Sequence, residues 1–368
     1  MQLYSFGSNG SGQLGLGHKD DVSQPTRCLF RPDPFIDKND NVNCPNSREK
    51  DLVTHLAAGG NHSLVIYGSG AVYAAGSNGS GRCAHDAEEL LEFSRVIIRD
   101  GERIVCRFAA VSATWESSCF VEKDTGHVYV AGVGMKGELG LGKNVTEAKV
   151  PMRMVGFPPE GTKVVCLSGS VGHTVAVLSN GDVYGWGNAR KGQLGEPDIK
   201  QKICWSPQRI DVPFAIRQVA CGREFTAFVG DQKDGSLLVL GSDKWGIQSA
   251  APLNLGGYTM VAASWHGIYS HNSSGRIMAW GRNDRGQLPP PKIPDTTSIG
   301  VGSEHVVAVI DKKEVIAFGW GEHGNCGAET DDQGNVAGRY AKVPFDHGAE
   351  PVISVVGAGC ATSWLTVE

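Results

Sequence analysis

A short element recurs seven times along the 368-residue chain: an apolar strand that ends at a glycine, followed five residues later by a second glycine. Repetition at a fixed internal spacing predicts an architecture assembled from one supersecondary unit. Glycine supplies 50 residues, about twice the usual share of roughly 7%, as many tight turns require. The first glycines of the repeat are Gly7, Gly76, Gly132, Gly187, Gly241, Gly281 and Gly319. The second glycines are Gly12, Gly81, Gly137, Gly192, Gly246, Gly286 and Gly324.

A second shared element lies upstream of each first glycine. In four copies a histidine precedes an apolar strand, as in NHSLVIY and EHVVAVI. Each unit therefore predicts a strand, a hairpin, a second strand and the glycine turn, with two further strands in the variable stretch that follows. We expect the histidines to be structural, each bonding the backbone of a neighbouring unit, rather than to form a metal ring. They are His62, His173, His266 and His305, and the same position holds Glu116, Phe225 and Ala361 in the other copies.

The two ends of the chain complete each other. The last segment, VVGAGCATSWLTVE, carries the upstream element, and the first, MQLYSFGSNGSGQLG, carries the glycine turn. Counted through the joined ends, Ala361 precedes Gly7 by the usual 14 residues. Pairing the first and last strands in one sheet removes the open edges of a ring. The sequence therefore predicts an all-β protein with a single domain over 1–368: a seven-bladed β-propeller of four-stranded antiparallel blades, closed by its terminal strands.

Three stretches depart from the regular repeat. Residues 31–51 form a polar insertion that we expect to be a surface loop. The intervals from Gly241 to Gly281 and from Gly281 to Gly319 are the shortest, which predicts trimmed outer connections in two blades. The segment HDAEELLEFSR at 85–95 favours a short helix.

Composition and cysteine spacing limit the function classes. The net charge of −5 and the pI of about 6.1 give no reason to expect a phosphate-backbone binder. No C-x-x-C pair occurs, so the sequence indicates neither a zinc site nor a disulfide framework, and it favours a reducing compartment, the cytoplasm or the nucleus. No apolar run is long enough to predict a membrane span. Buried free thiols are expected at Cys83, Cys106, Cys119, Cys166, Cys221, Cys326 and Cys360.

Catalytic motifs give no support for an enzyme. The pattern Gly10-x-Gly12-x-x-Gly15 matches a dinucleotide-binding loop, but it is one copy of a repeated β-turn and no helix follows it. Neither a Ser-His-Asp order nor a nucleophile elbow can be identified. We expect a non-catalytic protein without cofactor or metal, and keep a propeller hydrolase or lyase as an alternative class.

Two loop sets are candidate binding surfaces. The residues before the histidine position are expected around the mouth of the central channel, where large side chains interrupt the repeat: Asn61, Trp115, Gly172, Glu224, Trp265, Glu304 and Cys360. The predicted protein-binding set on this face is Trp115, Glu116, Arg223, Glu224, Trp265, His266 and Glu304. The alternative is that the two tryptophans plug the channel or pack between blades. A rival basic surface, suited to an acidic partner, is expected on the opposite face from the glycine turns: Lys136, Arg190, Lys191, Trp245, Arg282 and Arg285, with Trp320 and His323 beside them.

The glycine turns, with GQLG or a variant at Gly12–Gly15, Gly137–Gly140 and Gly192–Gly195, resemble those of the regulator-of-chromosome-condensation propeller family. The resemblance covers essentially the whole chain. The first 27 residues are most similar to a fungal branch of the family. That similarity implies a heterodimer with the small zinc-binding protein of diphthamide biosynthesis. It also implies a role in diphthamide synthesis and in Elongator-dependent modification of the tRNA wobble uridine, with Elongator as a further partner.

The founding member of the family implies a different activity. It is a guanine-nucleotide exchange factor for the Ran GTPase, so the alternative function is exchange on a small GTPase. The acidic balance of this chain departs from that chromatin-bound member. We expect no direct nucleic-acid partner and no membrane.

Overall fold

The computed structural model describes residues 2–33, 44, 51–195, 202–345 and 352–368. Its strands, in chain order, are β1 (Gln2–Gly7), β2 (Val22–Arg27), β3 (Val53–Ala58), β4 (His62–Tyr67), β5 (Val72–Ser77), β6 (Glu89–Arg95), β7 (Ile98–Asp100), β8 (Arg103–Val105), β9 (Phe108–Ala113), β10 (Ser117–Glu122), β11 (Val128–Val133), β12 (Glu147–Arg153), β13 (Val164–Ser170), β14 (His173–Leu178), β15 (Val183–Asn188), β16 (Ile203–Ile210), β17 (Gln218–Cys221), β18 (Phe225–Val229), β19 (Leu237–Gly241), β20 (Tyr258–Ala263), β21 (Gly267–Asn272), β22 (Ile277–Gly281), β23 (Ser298–Val301), β24 (His305–Ile310), β25 (Glu314–Trp320), β26 (Asn335–Val343), β27 (Ile353–Ala358) and β28 (Thr362–Val367). No helix in these ranges is long and apolar enough to cross a membrane.

Seven antiparallel sheets form the blades of a propeller, as predicted. From the channel outward, blade 1 is β3 to β6, blade 2 is β9 to β12, blade 3 is β13 to β16, blade 4 is β17 to β19, blade 5 is β20 to β22, blade 6 is β23 to β26, and blade 7 is β27, β28, β1 and β2. The innermost strands surround a channel of about 720 Å³ whose walls carry many Ala, Gly and Ser residues. The core lies between neighbouring blades.

Blade 7 closes the ring with strands from both ends of the chain. β1 pairs with β28 in unbroken antiparallel register from Gln2–Val367 to Gly7–Thr362. Trp364 and Leu365 of β28 are buried. The predicted closure is therefore confirmed, and it leaves neither terminal strand as an open edge.

Blades 4 and 5 have three strands rather than the predicted four. They are the two blades whose outer connections were expected to be trimmed, so the short repeat intervals correctly located the shortened blades. The chain between Gly241 and Tyr258, and between Gly281 and Ser298, returns to the next inner strand without an outer strand.

The segment at 85–95 is not a helix. Residues 89–95 form β6, which pairs with β5 and buries Leu90 and Phe93. Pairing in the sheet overrides the local preference of the Glu- and Leu-rich sequence. Most of the predicted loop at 31–51 lies outside the described residues. At its start, the Asp33 carboxylate accepts hydrogen bonds from Tyr73 and Arg95.

One cysteine prediction is wrong. Cys106 is not a free thiol, because a disulfide joins it to Cys44, 62 residues upstream. No short spacing motif could reveal a pair so distant in sequence. Of the other predicted thiols, four are free and buried and two are free and half-buried: Cys83, Cys119, Cys221 and Cys326, and then Cys166 and Cys360.

Three of the four histidines bond a hydroxyl group of the next blade. His62 Nε2 lies 2.8 Å from Ser118 Oγ of blade 2. His173 and His305 make the same bond to the next blade, at 2.9 Å from Thr226 Oγ1 and Ser363 Oγ respectively. The partner is a side-chain hydroxyl, not the predicted backbone group. All three rings are buried, so each hydrogen bond lies where leaving it unmade is costly.

The first glycine of every repeat adopts a left-handed backbone, with φ between +107° and +120°. At Gly76 an added Cβ would also meet the Asn61 carbonyl oxygen and the His62 Cα. We expect Gly76→Ala to destabilise the fold by about 3 kcal/mol, because strain and overlap add. Gly79→Ala in the same turn is the control, since its Cβ would meet nothing within 4 Å. Urea denaturation of both variants checks this, and equal stability would contradict it.

Candidate protein-binding face

The histidine-side loops and the glycine turns lie on one end of the ring. β4 begins at His62, which pairs with Gly76 near the end of β5, and the equivalent pairing recurs in every blade. A loop that enters β4 and a turn that leaves β5 therefore sit at the same end of an antiparallel hairpin. The sequence analysis placed the rival basic surface on the opposite face, and this prediction is wrong: both surfaces lie at the same end of the ring. We call this shared end the mouth face, and the histidine-side loops on it the mouth loops.

The repeat equivalences also need correction in three blades. In all seven blades one carbonyl accepts a bond of 2.7–2.9 Å from the N–H that follows the first glycine. These carbonyls belong to Asn61, Glu116, Gly172, Glu224, His266, Glu304 and Ala361. Trp115, Trp265 and Cys360 therefore lie two residues before the histidine position, not immediately before it as the sequence predicted. Gly267, not His266, occupies the histidine position of blade 5.

Trp115 and Trp265 meet across the channel mouth. They come from blades 2 and 5, and their ring centroids are 5.7 Å apart. Trp115 packs on Gly60 of blade 1 but keeps 39% of its surface exposed. Backbone bonds tie both loops to adjacent blades: Trp115 N–H donates to Val171, and Trp265 N–H to Ser303. The pair therefore covers the mouth and presents an aromatic surface to solvent.

A buried ion cluster holds the mouth loops of blades 5 and 6 together. Glu304 is only 5% exposed. Its Oε1 lies 3.0 Å from His266 Nδ1 and accepts a 3.1 Å bond from Arg282 Nη1, while Oε2 accepts from Gln287 Nε2. Burial opposes ionisation, but these hydrogen bonds and the Arg282 charge outweigh it and hold the pKa of Glu304 below its ordinary value. His266 and Glu304 thus have a positioning role on this face.

A second, smaller cavity joins the two loop sets directly. It measures about 280 Å³ and lies at the mouth of blades 2 to 4. Trp115, Glu116, Arg223 and Glu224 line it from the mouth loops. The glycine turns also contribute to its wall, with Met135, Lys136 and Glu138 from one turn and Asn188 from the next. Burial raises the pKa of Glu138.

The sequence prediction missed Met135, Glu138 and Gln287. Met135 is 65% exposed beside the predicted Lys136. Its position in a turn already assigned to a candidate surface could have identified it from the sequence. No sequence signal could have identified Gln287, because its contact with Glu304 joins two blades that are adjacent only in the folded ring.

The remaining basic residues also lie on the mouth face. Arg190 and Lys191 are exposed in the glycine turn of blade 3. In blade 5, Arg282 lies over the Trp245 ring at 5.5 Å and Arg285 over the Trp320 ring at 5.6 Å. His323 Nδ1 is 2.8 Å from Asp21 Oδ2, which joins the turns of blades 6 and 7.

Comparison with known proteins places the whole chain in one family. Residues 2–365 match the model of the RCC1-like domain. An RCC1 repeat-containing protein of Schizosaccharomyces pombe is 29% identical over 382 residues, covering 100% of this chain and 99% of that protein. The secretion-regulating guanine nucleotide exchange factor of Mus musculus is 27% identical over 381 residues, covering 89% of this chain and 76% of that protein.

Solved structures show the same fold. Prp20p from Saccharomyces cerevisiae superposes with a TM-score of 0.78 at 19% identity, covering 100% of this chain and 91% of that one. The Prp20p structure is described together with the binding of that protein to Gsp1p and histones. Human WBSCR16 gives a TM-score of 0.76 at 18% identity, with coverage of 100% and 98%. The family match over nearly the full length confirms the resemblance drawn from the glycine turns: this chain belongs to the RCC1-like domain family.

Proposed function

We propose that this protein is a non-catalytic binding propeller whose mouth face holds one protein partner. The observation that carries the proposal is the Trp115–Trp265 pair, which brings an exposed and a half-buried aromatic ring together at the centre of the mouth face. Tryptophan and arginine at the centre of a surface supply most of the binding energy in protein interfaces. Arg223, 5.3 Å above the Trp265 ring, adds the second of these residue types.

We further propose that the chain is the counterpart of the fungal alpha-tubulin suppressor protein. Its partner would then be the small zinc-binding protein of diphthamide biosynthesis. The pair would support diphthamide synthesis and Elongator-dependent modification of the tRNA wobble uridine. Two observations support this proposal. The segment YSFGSNGSGQLGLGHKDDVSQPTR at 4–27 resembles the start of that fungal protein, and the chain matches a fungal relative over its full length.

Affinity purification of the full chain from its native host, followed by mass spectrometry, tests the partner. We expect one small zinc protein at equal stoichiometry. Recovery of a GTPase instead, or of no stoichiometric protein, would contradict the assignment.

A guanine-nucleotide exchange factor is the second candidate function. It is favoured by the 27% identity to the mouse secretion-regulating exchange factor. An exchange factor accelerates release of bound nucleotide from its purified GTPase. A GTPase recovered with this chain can be loaded with fluorescent GDP, and faster release on adding the chain would establish this reading.

The double variant Trp115→Ala/Trp265→Ala tests the mouth face. We expect partner recovery to fall about thirtyfold or more, because an interface tryptophan is often worth about 2 kcal/mol. The control is Val155→Ala/Leu253→Ala, at residues 85% and 97% exposed in loops away from the mouth face. It should bind normally. Thermal melts should change by less than about 3 °C in both cases, and undiminished binding by the tryptophan variant would exclude this face.

A further inference from the structure

Four cation–ring contacts lie along one arc of the mouth face. Three of them join neighbouring blades: Arg223 to Trp265, Arg282 to Trp245, and Arg285 to Trp320, at 5.3–5.6 Å. In the fourth, Lys244 Nζ lies 5.7 Å from the centroid of Trp245 within its own turn. We call this set the arginine–tryptophan arc: Arg223, Lys244, Trp245, Trp265, Arg282, Arg285 and Trp320.

The charges of the arc divide into two kinds. Arg282 is neutralised, because its Nε and Nη2 donate to Asp284 and its Nη1 to Glu304. Arg223, Lys244 and Arg285 have no carboxylate within salt-bridge distance among the described residues. Arg282 therefore fixes the position of Trp245, while three cations remain available to a ligand.

The ring contacts prepare these cations for binding. An arginine whose Cζ lies 5.3–5.6 Å from an indole centroid is attracted to the ring and still has N–H donors, two of which a carboxylate can take at once. Because the ring already orients the side chain, less rotamer entropy is lost when the ligand binds. The sites follow one another across blades 4, 5 and 6, so they match several anions along a chain better than one compact ion.

We propose that the arginine–tryptophan arc binds an extended acidic segment of the protein partner, an inference that rests on the proposed function. A polypeptide fits better than a nucleic acid for two reasons. Each tryptophan of the arc already carries a cation against its ring, which competes with base stacking. The adjoining mouth carries Glu116 and Glu224, and the whole chain has a net charge of −5, which opposes a continuous phosphate backbone.

The test uses the full chain and a fluorescein-labelled polyglutamate peptide, measured by anisotropy at low salt. We expect binding that weakens as salt rises and that falls about tenfold or more in Arg223→Gln/Arg285→Gln. The matched control is Arg27→Gln/Arg99→Gln, which removes the same charge from exposed positions in β2 and β7. It should bind almost as the unmodified protein does. Near-ultraviolet circular dichroism confirms that each variant keeps its tryptophan packing.

Three results would overturn the proposal: no binding of polyglutamate, equal weakening in both double variants, or tighter and arc-dependent binding of an oligouridylate of equal charge. The last would make the arc a nucleic-acid site. The peptide assay needs no native partner, so the two proposals fail separately. If the unmodified chain recovers no stoichiometric protein partner but binds polyglutamate through the arc, the proposed function is refuted. If it recovers a partner but does not bind polyglutamate through the arc, only the arc is refuted.

Discussion

Between pH 6.5 and pH 5 the ring is expected to lose about 5 kcal/mol of its free energy of unfolding. The cause is the set of histidines that connect the blades. Burial lowers the pKa of His62 to about 3 and those of His173 and His305 to about 4. In the unfolded chain each histidine titrates near its ordinary pKa of about 6.5.

The direction follows from proton uptake. Because the folded pKa values are lowered, this stability is fully present above pH 6.5 and is lost as the pH falls toward 4. At pH 5 unfolding takes up about three protons, which makes the stability fall by about 4 kcal/mol per pH unit. Since domains are typically stable by about 5–15 kcal/mol, the ring should be close to unfolding there.

Urea denaturation at pH 7, 6 and 5 measures this slope. In the control, His62, His173 and His305 are replaced by Gln, which can bond the same hydroxyls without titrating. We expect the control to be less stable at pH 7 and to lose much less stability than the wild type between pH 7 and pH 5, where His55 and His85, whose pKa values burial also lowers, still contribute. If the triple variant does not fold, each single variant should reduce the uptake by about one proton. A pH-independent wild type would refute the role given to these residues.

Deleting residues 359–368 is expected to abolish cooperative folding. The deletion removes β28, the strand between β27 and β1 in the closing blade. It also removes the buried side chains of Trp364, Leu365 and Val367. Each such loss costs about 2–5 kcal/mol, so the sum reaches the whole stability of a typical domain. Circular dichroism melts and gel filtration should show a broad transition and an expanded or aggregated chain.

A synthetic peptide of residues 359–368 serves as the control for this deletion. Added in trans, it should restore a cooperative melt, because the slot between β1 and β27 is specific in register. A truncated chain that melts cooperatively near the temperature of the full chain would show that blade 7 does not hold the ring closed.

The sequence predicted the ring because its strongest signals are local. A glycine with positive φ and its turn can be recognised from a few residues, and seven such turns fix the number of blades. The same argument paired β1 with β28 and located the two shortened blades. Strand identity at 85–95 and the Cys44–Cys106 disulfide depend on partners distant in sequence, so local patterns could not supply them.

The errors at the candidate site have two physical causes. The residue that pairs with the first glycine lies 14 residues before it in blade 1, 15 in blade 2 and, counted through the joined ends, 13 in blade 7, so no single count finds this position in every blade. The two loop sets were placed on opposite faces although only two strands separate them along the chain. Two antiparallel strands bring the chain back to the end where it began. Counting strands would have placed both sets on the mouth face.

Contacts across the ring could not be predicted at all. Trp115 and Trp265 are separated by two blades, and they meet only because the ring closes over a narrow mouth. The bonds from His266, Arg282 and Gln287 to Glu304 likewise depend on blades 5 and 6 lying side by side.

Hydrogen–deuterium exchange on the affinity-purified complex, compared with the free chain, tests most directly whether the mouth face is the binding surface. We expect new protection in the mouth loops at 59–61, 114–116, 222–224, 264–266 and 302–304, and in the glycine turns at 243–246 and 283–286. The outer strands, such as β12 (Glu147–Arg153), should exchange as they do in the free protein. Protection confined to those outer strands or to the opposite end of the ring would contradict the account.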